Sequence, residues 1–118
     1  MPRPRKDRKV CRMPQVTEFR PAGNVLPGES VILSVDEYET LRLIDREGFS
    51  QEACGEYMHI ARTTVQQIYT AARKKVADAL VDGVPLKIEG GNFRLCDGAE
   101  TDCSCGGCSK HRKPNKQI

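Results

Sequence analysis

The sequence predicts a mostly α-helical fold, a three-helix helix-turn-helix domain of winged-helix-like type with a small β-hairpin and flexible basic termini. Three observations lead to this class. Two segments begin with helix-capping signals, a third carries apolar residues at helical spacing over about twenty positions, and both ends are basic and poor in apolar residues. We expect a basic, Pro-rich arm at residues 1–28, the folded domain at 29–95 and a cysteine-rich tail at 96–118.

The first two helices are predicted from their starts and ends. Ser34 followed by Glu37 fits a capping box, in which each side chain satisfies a backbone N–H of the other, so a helix should run from Val35 to Glu47. Gly48 follows, where a left-handed C-terminal cap is favoured. Ser50 should cap a second, shorter helix that ends near Met58.

The third helix has the strongest pattern, because its apolar residues follow a 3.6-residue period from Arg62 to about Val81. These residues are Val65, Ile68, Tyr69, Ala72, Val76, Ala79 and Leu80. After Gly83 and Pro85, the segments PLKIEG and NFRL predict two strands of a β-hairpin that turns near Gly90 and Gly91.

The second and third helices together predict a helix-turn-helix. Such a unit needs a small residue where its helices touch and a residue that tolerates a positive φ in the turn. Gly55 is the small residue, and His59 occupies the turn, where we expect it to act as a turn residue rather than as a ligand. Ala61 precedes the third helix without a capping side chain.

The early turns of the third helix present hydrogen-bonding side chains and no carboxylate, which is typical of a face that reads DNA bases and phosphates. The candidate DNA-binding residues are Arg62, Thr63, Thr64, Gln66, Gln67 and Thr70, with Lys74 and Lys75 placed for backbone contacts. The alternative is a plain three-helix domain with a solvated polar face.

The N-terminal arm carries a second set of candidate DNA contacts, which are Arg3, Arg5, Lys6, Arg8 and Lys9. Basic arms of this kind follow phosphates or enter a minor groove. A disordered terminus that only increases solubility is the alternative.

The tail has four cysteines at spacings that let thiolates converge on one soft ion, with two glycines to allow a tight chain reversal. The candidate ligands are Cys96, Cys103, Cys105 and Cys108, with Cys11 and His111 as further candidates. Zinc is the first choice and an iron–sulfur cluster stays open. A redox-sensing thiol pair and an inert tail are the alternatives, whereas Cys54 is expected to be a buried structural thiol.

Other classes of protein have little support. There is no apolar run long enough to span a membrane and no signal peptide, so we expect a cytoplasmic protein without membrane contact. No catalytic arrangement of Ser, His and carboxylate, no paired catalytic carboxylates and no phosphate-binding glycine loop is evident, so we do not expect an enzyme.

Four segments also resemble a known family: PRPRKDRKVCRMP, SVDEYETLRLIDREGFSQEACGEYM, AARKKVADALVDG and LKIEGGNFRL. Together they are similar to a small prokaryotic family of unknown function described as predicted DNA-binding proteins, over roughly residues 1 to 95. The resemblance implies a helix-turn-helix like region 4 of sigma-70 factors, double-stranded DNA as partner, and RNA polymerase as a further candidate partner.

Two functions therefore follow from the sequence. The preferred one is a sequence-specific DNA-binding protein and transcriptional regulator with a metal- or redox-responsive cysteine cluster. The alternative is a metal or iron–sulfur accessory protein whose helical domain docks on a protein partner. The sequence leaves open a homodimer, in which two-fold pairing would roughly double the DNA interface.

Overall fold

A computed structural model of the chain describes residues 8–11, 13–23 and 29–95. These residues form three helices and five short strands. The helices are α1 (Val35–Leu41), α2 (Gln51–Met58) and α3 (Arg62–Asp82), and the strands are β1 (Arg8–Val10), β2 (Glu18–Phe19), β3 (Val31–Leu33), β4 (Leu86–Ile88) and β5 (Phe93–Leu95). In this part of the chain no helix is both long and apolar enough to cross a membrane.

The start of α1 confirms the predicted capping box. The Ser34 hydroxyl accepts a hydrogen bond from the Glu37 N–H at 3.3 Å, and the Glu37 carboxylate accepts one from the Ser34 N–H at 2.9 Å. The far end differs from the prediction, because α1 gives way at Arg42 to one π-helical turn that ends at Arg46. Gly48 then adopts a φ of 84°, so the chain reverses where the sequence indicated.

The bounds of α2 and α3 lie close to the predicted ones. The Ser50 hydroxyl accepts a hydrogen bond from the Ala53 N–H at 3.0 Å, and α2 ends at Met58. The third helix ends at Asp82, one residue beyond the prediction, where Gly83 adopts a φ of 66°. At about 1.5 Å per residue, α3 is roughly 30 Å long.

The predicted β-hairpin is wrong, because β4 and β5 pair with other strands. Strand β4 is the middle strand of a three-stranded sheet, antiparallel to β2 and parallel to β3, whereas β5 pairs with β1 in parallel. Gly90 and Gly91 both have positive φ, but their turn leads from one sheet to the other. Because the true pairing partners of β4 and β5 are far away in sequence, they leave no local signal, and the sequence predicts instead that the two strands pair with each other.

Residues 8–11 belong to the folded core, although the sequence placed them in the arm. Val10 is fully buried and Lys9 is only 2% exposed. The Lys9 ammonium lies 4.4 Å from the centre of the Tyr57 ring, a cation–π contact that helps offset its desolvation. Residues 8–11 are therefore part of the folded domain.

Helix α3 contributes to both apolar clusters of the core. Val65 packs with Cys11, Leu43, Cys54, Tyr57 and Met58, whereas Ala72 packs with Val10, Leu33, Val35 and Ile88. The predicted apolar stripe of α3 is thus buried along most of its length. Leu80 is the exception, since it is 77% exposed.

The buried Glu39 carboxylate pairs with Arg42 and also connects α1 with the segment that follows β1. The Glu39 carboxylate accepts hydrogen bonds from the Arg42 guanidinium at 2.8 and 2.9 Å and from the Cys11 N–H at 3.1 Å. Burial alone lowers the pKa of Arg42, but the hydrogen bonds and charge of Glu39, with the charge of Glu47, raise it well above its ordinary value. Arg42 therefore stays charged inside the protein.

Candidate nucleic-acid interface

The turn between α2 and α3 depends on Gly55. A Cβ atom at this position would lie 2.7 Å from the Ile60 carbonyl oxygen and 3.3 Å from a methyl group of Val65. The Ile60 N–H also donates a hydrogen bond to the Gly55 carbonyl at 2.9 Å. The absence of a side chain at Gly55 therefore allows the chain to fold back closely on α2.

His59 makes the reversal after α2. It has a φ of 63° and a ψ of 44°, which is the left-handed conformation, and its N–H donates to the Gly55 carbonyl. Among the described residues it is the one non-glycine residue with a positive φ. This confirms the prediction that His59 is the turn residue, at a conformational cost that glycine would not have.

One side of α3 is polar and exposed over its first three turns. Its exposed residues are Arg62, Thr63, Gln66, Gln67 and Thr70, and Thr64 is half-buried at the edge. Val65 and Ile68, on the opposite side, are buried against the core. The first turn contains no acidic residue. The structure therefore brings all six candidates of this group to the N-terminal half of one helix.

The N-terminus of α3 borders an open cleft of about 580 Å³, whose lining includes Arg8, Glu56, His59, Ala61 and Thr64. Ala61 is the N-cap residue and makes no side-chain capping bond. Because the first N–H groups of a helix point outward and its dipole is positive there, an anion can lie close to this end.

The basic residues further along α3 have partners within the chain. The Lys74 ammonium lies 3.0 Å from Asp78, one turn away, and both side chains are exposed. The Lys75 ammonium lies 2.8 Å from the Glu37 carboxylate, where it bridges α3 to α1. Lys75 therefore contributes to helix packing, whereas Lys74 remains on the solvent-facing side.

Two of the predicted arm residues are held by the fold. Arg8 forms an ion pair of 2.8 Å with Asp36 at the start of α1, and the Arg8 side chain is 20% exposed. Lys9 is buried beneath the surface and cannot reach a phosphate. The other arm candidates, Arg3, Arg5 and Lys6, lie outside the described residues.

Arg94 is an exposed cation that the sequence did not mark. Its guanidinium lies 3.3 Å from Nδ1 of His59, so β5 places a positive charge beside the turn between α2 and α3. No sequence signal could have shown this, because the contact depends on the pairing of β5 with β1, which are more than eighty residues apart.

Most of the predicted metal ligands lie outside the described part of the chain. These are Cys96, Cys103, Cys105, Cys108 and His111. Cys11 is described and is buried in the apolar cluster around Val65. Within residues 8–11, 13–23 and 29–95, no group of three or more His, Cys, Asp or Glu side chains could hold a metal ion.

Cys54 is a buried thiol, as the sequence predicted. Its Sγ lies 3.8 Å from Sδ of Met58. Burial, followed by the negative charge of Glu39, raises the pKa of Cys54 to about 12. Since the thiolate is the reactive form, this cysteine is inert at neutral pH.

Comparison with known proteins identifies the family. The sequence profile described as "Protein of unknown function DUF134" matches residues 1–96. The chain belongs to the DUF134 family. The match includes every described element, so the arrangement of the α2–turn–α3 unit lies within the region that defines the family.

Several curated relatives carry UPF0251 names. A UPF0251 protein of Desulfitobacterium hafniense strain Y51 is 54% identical over 96% of this chain and 90% of its own length. One of Thermoanaerobacter pseudethanolicus is 49% identical over 82% of this chain and 83% of its own. One of Desulforudis audaxviator is 47% identical over 98% of this chain and 74% of its own. No solved structure matches the chain.

Proposed function

We propose that the α2–turn–α3 unit is a helix-turn-helix, similar to region 4 of sigma-70 factors, and that the chain is a cytoplasmic DNA-binding transcriptional regulator. One observation carries the proposal. The acid-free face formed by Arg62, Thr63, Gln66, Gln67 and Thr70 is exposed on a helix whose opposite side is fixed in the core. A rigid helix with such a face can enter a major groove and offer several donors and acceptors to base edges.

Within this proposal the residues of α3 have distinct roles. Gln66 and Gln67 can form paired hydrogen bonds with adenine, whereas Arg62 can bind guanine or a phosphate. Lys74 lies about two turns beyond Gln67 and would bind the phosphate backbone, exchanging its exposed partner Asp78 for a phosphate. Lys75 is assigned a structural role because it is held by Glu37.

The surroundings of the turn support a phosphate contact at the start of α3. Arg94 and His59 lie together beside the turn, and the cleft at Ala61 is open to solvent. A phosphate placed there would meet the Arg94 guanidinium and the positive end of the α3 dipole. Arg3, Arg5 and Lys6 would add further phosphate contacts from the arm, a role that rests on the sequence alone.

The proposal also assigns the cysteine-rich tail to metal binding, on the basis of its sequence. Cys96, Cys103, Cys105 and Cys108 would bind zinc, or an iron–sulfur cluster, and so order a segment with few apolar side chains. Metal analysis and the optical spectrum of anaerobically purified full-length protein test this role. Wild-type protein that holds one zinc per chain, or that shows the absorption of an iron–sulfur cluster, would support this role if the signal disappears when all four cysteines are replaced by serine. Metal-free wild-type protein would refute it.

Selection of bound fragments from genomic DNA tests the main proposal. We expect a recurring sequence motif among the fragments, and an affinity for it that the double variant Arg62→Ala with Gln66→Ala reduces by at least tenfold, since one good base contact is worth about 1–3 kcal/mol. Lys87→Ala is the matched control, because it removes the same single positive charge from β4, a strand that does not carry the proposed DNA contacts. Equal affinities of the double variant and the control would overturn the proposal.

A further inference from the structure

The C-terminal end of α3 presents an apolar surface to solvent, in addition to the apolar side that packs in the core. Leu80 is 77% exposed and Val81 is 83% exposed, and Ala77 precedes them at helical spacing. Large aliphatic side chains exposed to this extent and next to each other are typical of an interaction surface. Residues of this surface take no part in the proposed DNA contacts.

A groove lies next to Leu80, between α3 and the segment around β2. Its volume is about 340 Å³ and its lining is mainly apolar, including Phe19, Pro21, Leu80, Val84 and Leu86, with Arg20 as its cation. Phe19 is itself 52% exposed. The surface therefore combines projecting side chains with a groove that could receive them.

We propose that a second copy of this chain docks here about a two-fold axis, with Leu80 of each copy entering the groove of the other. A two-fold interface requires one patch to be complementary to itself, and this patch holds both the projecting side chain and the groove. The choice of a second copy as the binding partner rests on the proposed function, because a DNA-binding protein with one recognition helix contacts more base pairs as a dimer.

The charges around the patch fit this occupant. Asp82 is exposed beside Val81, and Arg20 lines the groove, where its own carboxylate partner Glu18 is 2.8 Å away. A guanidinium has five N–H donors, so Arg20 can bind Glu18 and a second carboxylate together. Two-fold docking brings Asp82 of one copy to Arg20 of the other, twice in each dimer.

The length of α3 gives the dimer a suitable spacing. Gln66 and Leu80 are fourteen residues apart, which is about 21 Å along a helix. Two helices that meet at Leu80 therefore place their DNA-facing turns at most about 42 Å apart, and less when the helices cross at an angle. Successive major grooves on one side of DNA are about 34 Å apart, within this range.

Sedimentation of the full-length protein without DNA tests the dimer directly. We expect a mass that rises from one chain to two with concentration, and a Leu80→Glu variant whose dimer dissociates at least about tenfold more readily. Met13→Glu is the control, because Met13 is a 41% exposed apolar residue that does not line the groove. Asp82→Arg should weaken the dimer, and Asp82→Arg combined with Arg20→Asp should restore it.

A single-chain mass at all concentrations would overturn the inference, as would equal effects of Leu80→Glu and Met13→Glu in variants whose circular dichroism is unchanged. Failure of the proposed function is a separate result. A dimer without DNA affinity would refute DNA binding alone, and monomers that bind one half-site each would refute the dimer alone.

Discussion

Gly55 lies against the carbonyl oxygen of Ile60 so closely that a Cβ atom would approach this oxygen to 2.7 Å. The contact fixes the position of α3 relative to α2. At an exposed position inside a helix, a glycine-to-alanine substitution stabilises a protein by up to about 1 kcal/mol, because alanine is the better helix former.

At this position we expect the opposite sign. Gly55→Ala should lower the free energy of unfolding by about 1–3 kcal/mol, since the backbone of Ile60 must move to admit the methyl group. Urea denaturation followed by circular dichroism measures the change. A Gly55→Ala variant that is more stable than wild type would show that the two helices do not meet here.

The turn at Gly91 allows a comparison between two neighbouring glycines. Both have positive φ, 74° at Gly90 and 102° at Gly91, but a Cβ at Gly90 would meet open space, whereas one at Gly91 would contact the Asp36 carboxylate and lie 2.8 Å from Cβ of Ser34. Gly91→Ala should therefore cost about 1–3 kcal/mol more than Gly90→Ala in thermal unfolding. Equal losses would contradict the close packing of this turn on the start of α1.

The two ion pairs of Glu39 and Glu18 have the same shortest distance, 2.8 Å, in different surroundings. Glu39 and Arg42 are buried, whereas Arg20, the partner of Glu18, is largely exposed. Removing one member of a buried pair leaves an uncompensated charge, so Glu39→Ala should lower the free energy of unfolding by about 3–5 kcal/mol. Glu18→Ala should cost less than about 1 kcal/mol. A small loss for Glu39→Ala would mean that the pair is hydrated in solution.

The pKa of Cys54 predicts a pH dependence in the alkaline range. Its value rises from an ordinary 9.0 to about 12 in the folded chain, so the unfolded chain loses this proton first. The stability that the neutral thiol provides is complete below pH 9 and is lost as the pH rises towards 12. The difference in denaturation midpoint between wild type and Cys54→Ala should therefore shrink between pH 8 and pH 10.5. A constant difference would show that Cys54 is accessible to water.

The helices could be predicted well from the sequence because their signals are local. Ser34, Ser50 and Gly48 act within a few residues, and the apolar period of α3 is complete in itself. The strand pairing could not be predicted, because β1 and β5 lie far apart in the sequence and pair only in the folded chain.

In the candidate site, too, the residues placed by local structure could be predicted and those placed by tertiary contacts could not. The face of α3 follows from helical spacing, so its residues were predicted. Lys9 was misplaced, because only the tertiary fold brings it to the ring of Tyr57. Arg94 was missed for the same reason, since its position beside His59 depends on distant strand pairing.

We propose that α3 binds double-stranded DNA through its exposed polar face, which runs from Arg62 to Lys74, and the salt dependence of the affinity tests this most directly. Fluorescence anisotropy with a labelled duplex between 50 and 300 mM NaCl should give a linear fall of log K with log salt, with a slope of about −0.9 for each phosphate contact. Lys74→Ala should reduce the slope by about one, whereas Lys87→Ala should leave it unchanged. No binding at 50 mM NaCl, or a slope that neither variant changes, would contradict the account.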